Sequence, residues 1–431
     1  MKIVKIKDAF KEKKVRIHGW IYDVRDLSKV RFLVVKDLSG RIQVTGVSGK
    51  TDENIFDLMK RITKESAVVI EGEMKDSKQA PGGKELIPSK IEVVGVSGSD
   101  LPIDVSDFSK TELPKRLDNR MLDLRRRNIS AIFSVRSAIN KNLTNFFYDE
   151  GFTLINTPKI TTIGLESGAE SFNVDYFKKK ASLAQSPQFY KQMFVVSGLE
   201  KVFEIGAVYR AEKSHTTRHL TEFTGVDFEI GFIKDENDVM DVIENAMKYV
   251  IKKVKEEKSY ELELLNVKLN VPKKIPRIPM DELKKILNQK GKKLSANDDL
   301  DAESEKMIGE YILEKYGEEF VFVTNYPWKV RPFYHMKPEK DKNGTRSFDL
   351  LWRGVEVATG AQREHRLDIL KVQAKEKGIK LDPIYAEIFK YGAPPHGGVG
   401  FGLDRLTQRM LNLDNIREAI LLPRDTERLI P

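Results

Sequence analysis

The chain has 431 residues, of which 40% are hydrophobic and 32% charged, so an intrinsically disordered protein is excluded and two or three domains are expected. It has no cysteine, which excludes disulfides and cysteine-based zinc sites, and no run near the roughly 20 apolar residues of a membrane-spanning helix. The net charge of +9 suits either a polyanionic partner such as RNA or a lysine-rich solvated surface. The first ten residues lack the apolar core of a signal peptide, so we expect a cytosolic protein.

The first 100 residues are predicted to form a small β-barrel. Runs rich in β-forming residues begin at Val15, Phe32 and Arg41, and two more cover residues 67–73 and 90–96. Five short strands in so short a segment fit an OB-fold, and other small β-barrels fit the same pattern. We therefore predict an N-terminal barrel domain over residues 1–100.

A charged connector, residues 101–129, precedes a larger domain over residues 130–431. Ser130 is a candidate cap for a helix that ends at Gly151. A second helix is predicted over residues 235–255, where apolar residues recur at helical spacing. Strand-like runs around these helices favour an α+β fold, with an antiparallel sheet flanked by helices.

The first candidate functional motif joins residues 209–212 to residues 217–223 across a polar loop. An arginine such as Arg210 can pair with a phosphate or carboxylate through two hydrogen bonds. Arg218 and His219 could hold further phosphates, and Phe223 offers a flat face for a purine. The Arg-x-Glu triplet alone is more often a surface ion pair, whereas the whole string is much more specific.

Two further motifs follow in the C-terminal third. Asp349 and Glu356 lie at opposite ends of a strand-like run, and together they could hold Mg²⁺ beside a nucleotide, although an edge strand with solvated acids fits the same pattern. A glycine-rich run, residues 397–402, would let the backbone approach a ligand closely, and Arg405 could then reach a phosphate. Lys191, within residues 185–192, could neutralise a substrate carboxylate or could be solvated.

Taken in order, these segments resemble the three signature motifs of class II aminoacyl-tRNA synthetases. Residues 151–158 resemble motif 1, residues 210–212 with 218–223 resemble motif 2, and residues 400–405 resemble motif 3. The resemblance covers nearly the whole chain, and the short segment between motifs 2 and 3 is similar to the archaeal and eukaryotic aspartyl-tRNA synthetases. It implies a class II catalytic domain, a homodimer, and charging of tRNA with L-aspartate through an aspartyl-adenylate.

The resemblance also implies roles for individual residues. Those expected around the aspartate are Glu170, Gln188, Phe189, Tyr190, Lys191, Arg210, Thr359 and Arg363. Those expected around the ATP are Arg210, Ala211, Glu212, Arg218, His219, Leu220, Phe223, Glu356, Gly402, Leu403, Asp404 and Arg405. Mg²⁺ is expected at Glu356, Thr359 and Asp349. The barrel is expected to bind the anticodon through Arg25, Phe32 and Gln43, although Phe32 could instead be a core residue.

The choice of tRNA is expected to depend on two barrel positions, Tyr22 and Pro81. In similar enzymes, proline at the second position is typical of those that charge both tRNA(Asp) and tRNA(Asn), whereas tyrosine at the first favours neither type. We therefore favour a non-discriminating enzyme, which would need a partner amidotransferase, and keep a strict tRNA(Asp) enzyme as the alternative. An asparagine-specific relative is disfavoured by Lys191, and a non-catalytic RNA-binding relative by the presence of all three motifs.

Overall fold

The computed structural model describes residues 2–98, 100–162, 171–341 and 343–431. Its internal contacts divide the chain into two compact units, Met1–Ser130 and Ala131–Pro431. Within the described residues, no helix is long and apolar enough to span a membrane.

The first unit contains a closed five-stranded barrel, which confirms the predicted OB-fold. Its strands are paired in the order β1-β2-β3-β5-β4. Alternate residues point inward because side chains alternate across a strand, and Ile17, Leu33 and Val44 are among those completely buried. The strand bounds are β1 Lys14–Asp26, β2 Val30–Asp37, β3 Gly40–Val47, β4 Ala67–Asp76 and β5 Lys84–Gly95. The helices of this unit are α1 Ile6–Ala9, α2 Glu53–Arg61, α3 Leu113–Asp118 and α4 Arg120–Asp123.

The second unit is built on an eight-stranded sheet in the order β12-β13-β14-β15-β16-β11-β10-β6, and a three-stranded sheet, β7-β9-β8, accompanies it. The five central pairings from β13 to β10 are antiparallel, as predicted. The strand bounds are β6 Thr153–Leu154, β7 Ile160–Thr161, β8 Asn173–Tyr176, β9 Lys179–Leu183, β10 Lys201–Tyr209, β11 Glu222–Gly231, β12 Arg277–Pro279, β13 Phe320–Thr324, β14 Ser347–Trp352, β15 Glu356–Gln362 and β16 His396–Gly402.

Helices accompany this sheet, and the two predicted from apolar spacing are present. Helix α5 begins at Arg127, so the prediction that Ser130 caps it is wrong; the Ser130 hydroxyl instead donates to the carbonyl of Arg126. Asp235 caps α7 by accepting from the amide of Asn237. The helix bounds are α5 Arg127–Asp149, α6 Gln188–Phe194, α7 Glu236–Glu257, α8 Ser259–Leu264, α9 Met280–Gln289, α10 Ala302–Tyr316, α11 Leu367–Glu376, α12 Pro383–Ile388 and α13 Leu403–Met410.

Asp349 and Glu356 do not share one strand, contrary to the sequence interpretation. Asp349 lies in β14 and Glu356 begins β15, and the two strands form a hairpin inside the sheet. Arg353 and Gly354 have positive φ values of 50° and 68° at the turn, a conformation that interrupts an apparently continuous run. Because β14 is paired on both sides, the alternative of an edge strand with solvated acids is also wrong.

Candidate active site and nucleic-acid interface

A cavity of about 460 Å³ opens in the second unit, on the strands of the central sheet. It is lined by β10, β11, β15 and β16 and by the loop that joins β10 to β11. The predicted residues among its lining are Gln188, Arg210, Glu212, Arg218, His219, Leu220, Phe223, Glu356, Thr359, Arg363, Gly402, Asp404 and Arg405. The structure therefore brings together residues that are up to 217 positions apart in sequence, from 188 to 405.

The open part of the cavity carries a cation beside an aromatic ring. The Arg210 guanidinium lies 5.5 Å from the centre of the Phe223 ring and 3.8 Å from the Glu212 carboxylate. Nearly half of each charged side chain is exposed, 45% for Arg210 and 40% for Glu212, so the pair is weak and Arg210 can turn to an incoming anion. The arrangement suits a planar base near Phe223 and a phosphate near Arg210.

A second group of charges lies on the loop that joins β10 to β11. Arg218 donates to Glu305 of α10 at 3.0 Å, and the His219 ring lies 2.6 Å from the Thr216 hydroxyl. Burial lowers the pKa of His219, and Arg405 and Arg218 lower it further against the opposing effect of Glu212. These effects favour the neutral form of the His219 ring.

Glu356 lies where β15 enters the cavity. It accepts a hydrogen bond from the Thr359 hydroxyl at 3.2 Å, and Arg405 lies 3.4 Å from its carboxylate. Asp349 is buried nearby and is paired with Arg331 at 2.5 Å. Burial, opposed by Arg331 and aided by the charge of Glu356, raises the pKa of Asp349 to about 6.

Asp227 and Arg363 form the closed end of the cavity, and a buried lysine, Lys191, lies behind this end without lining the cavity. The Lys191 ammonium, in a residue only 1% exposed, donates to Asp227 at 2.8 Å and to the Val399 carbonyl at 2.9 Å, and Glu229 lies 3.5 Å away. Although burial alone would raise the pKa of Glu229, Arg363 and Lys191 hold it below its ordinary value. Both acids come from β11, on the same face of the strand because they are two residues apart.

Arg363 provides the second buried cation and has several protein partners. It donates to Glu229 at 2.9 Å, to the Gln188 side-chain oxygen at 3.2 Å, and lies 3.1 Å from the His335 ring. Burial and the positive charge of Arg363 hold the pKa of His335 well below its ordinary value, so this ring is neutral. The two cations, Lys191 and Arg363, are therefore balanced by two carboxylates, Asp227 and Glu229.

The glycines of strand β16 leave space for buried side chains of the neighbouring strand, a role that was not predicted from the sequence. A Cβ atom on Gly398 would lie 2.1 Å from the Glu229 carboxylate, and one on Gly400 would lie 3.0 Å from the Asp227 carboxylate. Gly398 thus provides the space that the buried Glu229 occupies. The expectation that these glycines let the backbone approach a ligand stays a prediction.

Some predicted residues do not line the cavity, among them the buried Lys191 and Asp349. Phe189 packs in an aromatic cluster with Phe333 and Tyr385, Leu403 is fully buried, and Ala211 is partly exposed. Tyr190 contacts the Thr161 hydroxyl at 2.8 Å and lines a neighbouring basic groove. Glu170 lies outside the described residues. Asp404 touches the cavity, but its carboxylate accepts from Arg136 and from the Thr224 amide.

The predicted anticodon residues share one face of the barrel in the first unit. Arg25 is paired with Phe32 across β1 and β2, and Phe32 with Thr45 across β2 and β3. Phe32 is half-buried and on the opposite face of β2 from the fully buried Leu33, so it is not a core residue. The Gln43 amide donates to Glu85 at 3.1 Å and to the Thr45 hydroxyl at 3.3 Å, which fixes its orientation.

Tyr22 lies in β1 at the point where its pairing register with β2 shifts. The Arg41 guanidinium stacks on its ring at 3.6 Å and is held by Asp107 at 2.6 Å. Pro81 begins the short turn between β4 and β5, followed by Gly82 with a φ of 81°. The structure thus gives Tyr22 a fixed position and puts Pro81 in a tight loop.

Sequence analysis missed four acids that organise these sites: Asp227, Glu229, Glu305 and Glu85. Asp227 and Glu229 did carry a signal, because two acids spaced by two in an apolar strand face the same side. Glu305 and Glu85 show no such sequence signal, because their partners lie 87 and 42 residues away, respectively. From the sequence alone, either acid could equally be solvated.

Comparison with known families agrees with this geometry. Residues 112–426 match the family of class II tRNA synthetases for D, K and N, the one-letter codes of aspartate, lysine and asparagine. Residues 15–94 match the OB-fold nucleic acid binding domain that is named for tRNA anticodon recognition.

Several relatives and solved structures are similar over the whole chain. The aspartate–tRNA(Asp) ligase of Pyrococcus abyssi is 45% identical over 99% of this chain and 98% of its own length. The aspartate–tRNA(Asp/Asn) ligase of Aeropyrum pernix is also 45% identical, over 100% of this chain and 98% of its own. The asparaginyl-tRNA synthetase of Pyrococcus horikoshii, complexed with asparaginyl-adenylate, matches with a TM-score of 0.92 at 33% identity over 100% of both chains.

Proposed function

Since the chain belongs to the class II tRNA synthetases for aspartate, lysine and asparagine, we infer that it is an aspartate–tRNA ligase. An α-carboxylate oxygen of L-aspartate attacks the α-phosphorus of ATP, which forms aspartyl-adenylate and releases pyrophosphate. The terminal ribose hydroxyl of tRNA then attacks the activated carbonyl and releases AMP. The archaeal relatives with this activity, from Pyrococcus and Aeropyrum, match 99% or more of the chain.

The observation that carries the choice of aspartate is the pair of buried cations, Lys191 and Arg363. A side-chain carboxylate brought into this closed end lies near two buried positive charges, Arg363 in the cavity wall and Lys191 behind it. An amide carries no charge, so it gains less than a carboxylate from two buried cations, and a site built around charge rejects the neutral analogue. Gln188, which accepts from Arg363, completes the same wall.

The ATP is expected in the open part of the cavity. Phe223 offers its face to adenine and Arg210 neutralises the α-phosphate, while Arg218, His219 and Arg405 contact the phosphate tail. Such a reaction is accelerated mainly by positioning the reactants and neutralising charge, and these residues supply both.

We propose that Mg²⁺ binds at Glu356, Thr359 and Asp349, because of the chemistry of these side chains. Mg²⁺ usually takes one or two carboxylates and completes its shell with phosphate oxygens and water. Glu356 faces the cavity, and one buried carboxylate oxygen of Asp349 has no hydrogen-bond partner among the described residues, so these donors fit the ion. Such an ion neutralises the charge of the phosphate tail.

We propose further that the barrel reads the anticodon with Arg25, Phe32 and Gln43, and that the enzyme charges tRNA(Asn) as well as tRNA(Asp). Half-exposed Phe32 suits stacking on an unpaired base, and the oriented Gln43 amide suits reading its edge. Pro81 is the residue that favours the broader specificity. The runner-up is a strict tRNA(Asp) enzyme, since relatives of both names are equally similar.

The deciding experiment supplies the purified protein with ATP, Mg²⁺ and labelled aspartate, on transcripts of tRNA(Asp) and tRNA(Asn) in parallel. Comparable charging of both establishes the non-discriminating enzyme and implies a partner amidotransferase that converts the mischarged product. Charging of tRNA(Asp) alone establishes the strict enzyme. Labelled asparagine is the control, and preferential charging with it would refute the assignment to aspartate.

We also propose a homodimer through the motif 1 region. Strand β6 ends the central sheet, and apolar side chains near it are exposed, including Tyr148 at 52% and Leu154 at 39%. An uncovered sheet edge with apolar neighbours is typical of a protein interface. Sedimentation at micromolar concentration should give the mass of two chains, and a single-chain mass would refute the dimer.

A further inference from the structure

Glu305 of helix α10 joins two parts of the proposed ATP site without being one of the residues expected there. One oxygen of its carboxylate accepts from the Arg218 guanidinium at 3.0 Å and from the main-chain amide of Glu356 at 3.3 Å. Arg218 lies on the motif 2 loop and Glu356 begins β15, so the two donors are 138 residues apart in sequence. A single acid thus connects the loop to the strand that carries the expected Mg²⁺ ligand.

The position of Glu305 is electrostatically unfavourable for a carboxylate. Glu305 is 9% exposed, and its carboxylate lies close enough to the negative charge of Glu356 to be repelled by it. A buried carboxylate beside another carboxylate destabilises the fold unless cations and hydrogen bonds offset the cost. Arg218 supplies that compensation, and Arg405 reduces the repulsion from the side of Glu356.

We propose that Glu305 is a positioning residue, which orders Arg218 toward the phosphate tail and fixes the entry of β15 before ATP arrives. The proposal rests on the ATP site inferred above. A free arginine side chain has many rotamers, and ordering it costs free energy when it binds a ligand. Because the ion pair with Glu305 already restricts Arg218 in the folded protein, Arg218 loses less side-chain entropy when ATP binds. ATP therefore binds more tightly than it would without the ion pair.

Direct participation of Glu305 in metal binding is a different hypothesis, and the contacts favour positioning. The carboxylate oxygen that contacts Arg218 is already shared between a guanidinium and an amide, both of which are donors. Glu356 has its own donors, the Thr359 hydroxyl and Arg405.

The test is aspartate-dependent ATP–pyrophosphate exchange with Glu305→Gln, which keeps the shape of the side chain and removes its charge. We expect the KM for ATP to rise about tenfold, because a charge-assisted hydrogen bond is lost, while the KM for aspartate stays unchanged. Glu310→Gln on the exposed face of the same helix is the matched control and should behave as wild type.

A double-mutant cycle with Arg218→Ala separates positioning from other roles. If Glu305 acts through Arg218, then Glu305→Gln has little further effect on the KM for ATP once Arg218 is alanine. Additive effects, or an unchanged KM for ATP in the single variant, would overturn the proposal. If Glu305→Gln does not fold, Glu305→Asp keeps the charge on a shorter side chain, and a wild-type KM for ATP in that variant would also overturn it.

The wild-type protein distinguishes this inference from the function on which it rests. No aspartate-dependent exchange by the wild type would refute the proposed ligase activity. Normal exchange by the wild type together with wild-type kinetics in Glu305→Gln would refute the role of Glu305 alone.

Discussion

Replacing Lys191 by methionine is the sharpest test of the closed end of the cavity, since it removes a charge and keeps most of the side-chain volume. The ammonium lies 2.8 Å from Asp227 and 3.5 Å from Glu229, in a residue that is 1% exposed. Removing one partner of a buried ion pair leaves an uncompensated charge and costs about 3–5 kcal/mol. We expect a loss of that size in the free energy of unfolding, and loss of aspartate-dependent ATP–pyrophosphate exchange.

Urea unfolding of the wild type and Lys191→Met measures the loss from the shift in midpoint at constant m. Lys285→Met is the matched control, because Lys285 is exposed on α9, and it should shift stability by less than about 0.5 kcal/mol. Adding Asp227→Asn to Lys191→Met should recover part of the stability, since it removes one of the uncompensated charges. A Lys191→Met protein as stable as the control variant would refute the inferred charge balance at the closed end of the cavity.

The same contacts lead to three more predictions. Arg363→Leu should abolish aspartate-dependent ATP–pyrophosphate exchange, and wild-type exchange would contradict the assignment of aspartate. Phe32→Ala should raise the KM for tRNA in aminoacylation and leave the exchange reaction unchanged, whereas an unchanged KM would argue against anticodon stacking. The pKa of Glu229 is held below its ordinary value of 4.5, so its stabilising contribution is present above pH 4.5 and is lost as the pH falls through the lower folded value. Accordingly, unfolding free energy measured against pH should fall less steeply in that acid range for Glu229→Gln than for wild type.

The barrel and the long helices could be predicted from the sequence because their signals are local. Alternation along β1 to β3 and helical spacing in α5 and α7 reflect which side of each element is buried, and burial is the property that hydrophobic patterns record. The helix start at Arg127 could not be predicted in the same way, because a serine three residues later offers a plausible cap, and its hydroxyl instead donates to the carbonyls of Arg126 and Arg127.

The partners of the site residues could not be predicted, because they depend on strand order. β11 lies between β10 and β16 in the sheet, and only this pairing sets Asp227 and Glu229 against Gly400 and Gly398. Sequence spacing alone places Asp349 and Glu356 at the two ends of one strand. The turn at Arg353 and Gly354 puts Asp349 on a separate strand, where Arg331 pairs with one of its carboxylate oxygens.

The balance of charge around Lys191 and Arg363 explains how a cavity can be selective for a carboxylate and still fold. Two buried cations without partners would destabilise the empty protein, whereas Asp227 and Glu229 make the closed end neutral as a whole. The same acids hold the cations in fixed directions, so little ordering is needed when the substrate binds. In the proposed aspartate site, a neutral side chain of similar shape gains less than a carboxylate, because it brings no charge to interact with the two cations. In that proposal, the two acids matter as well as the two cations, because they let the cations be buried in the empty protein.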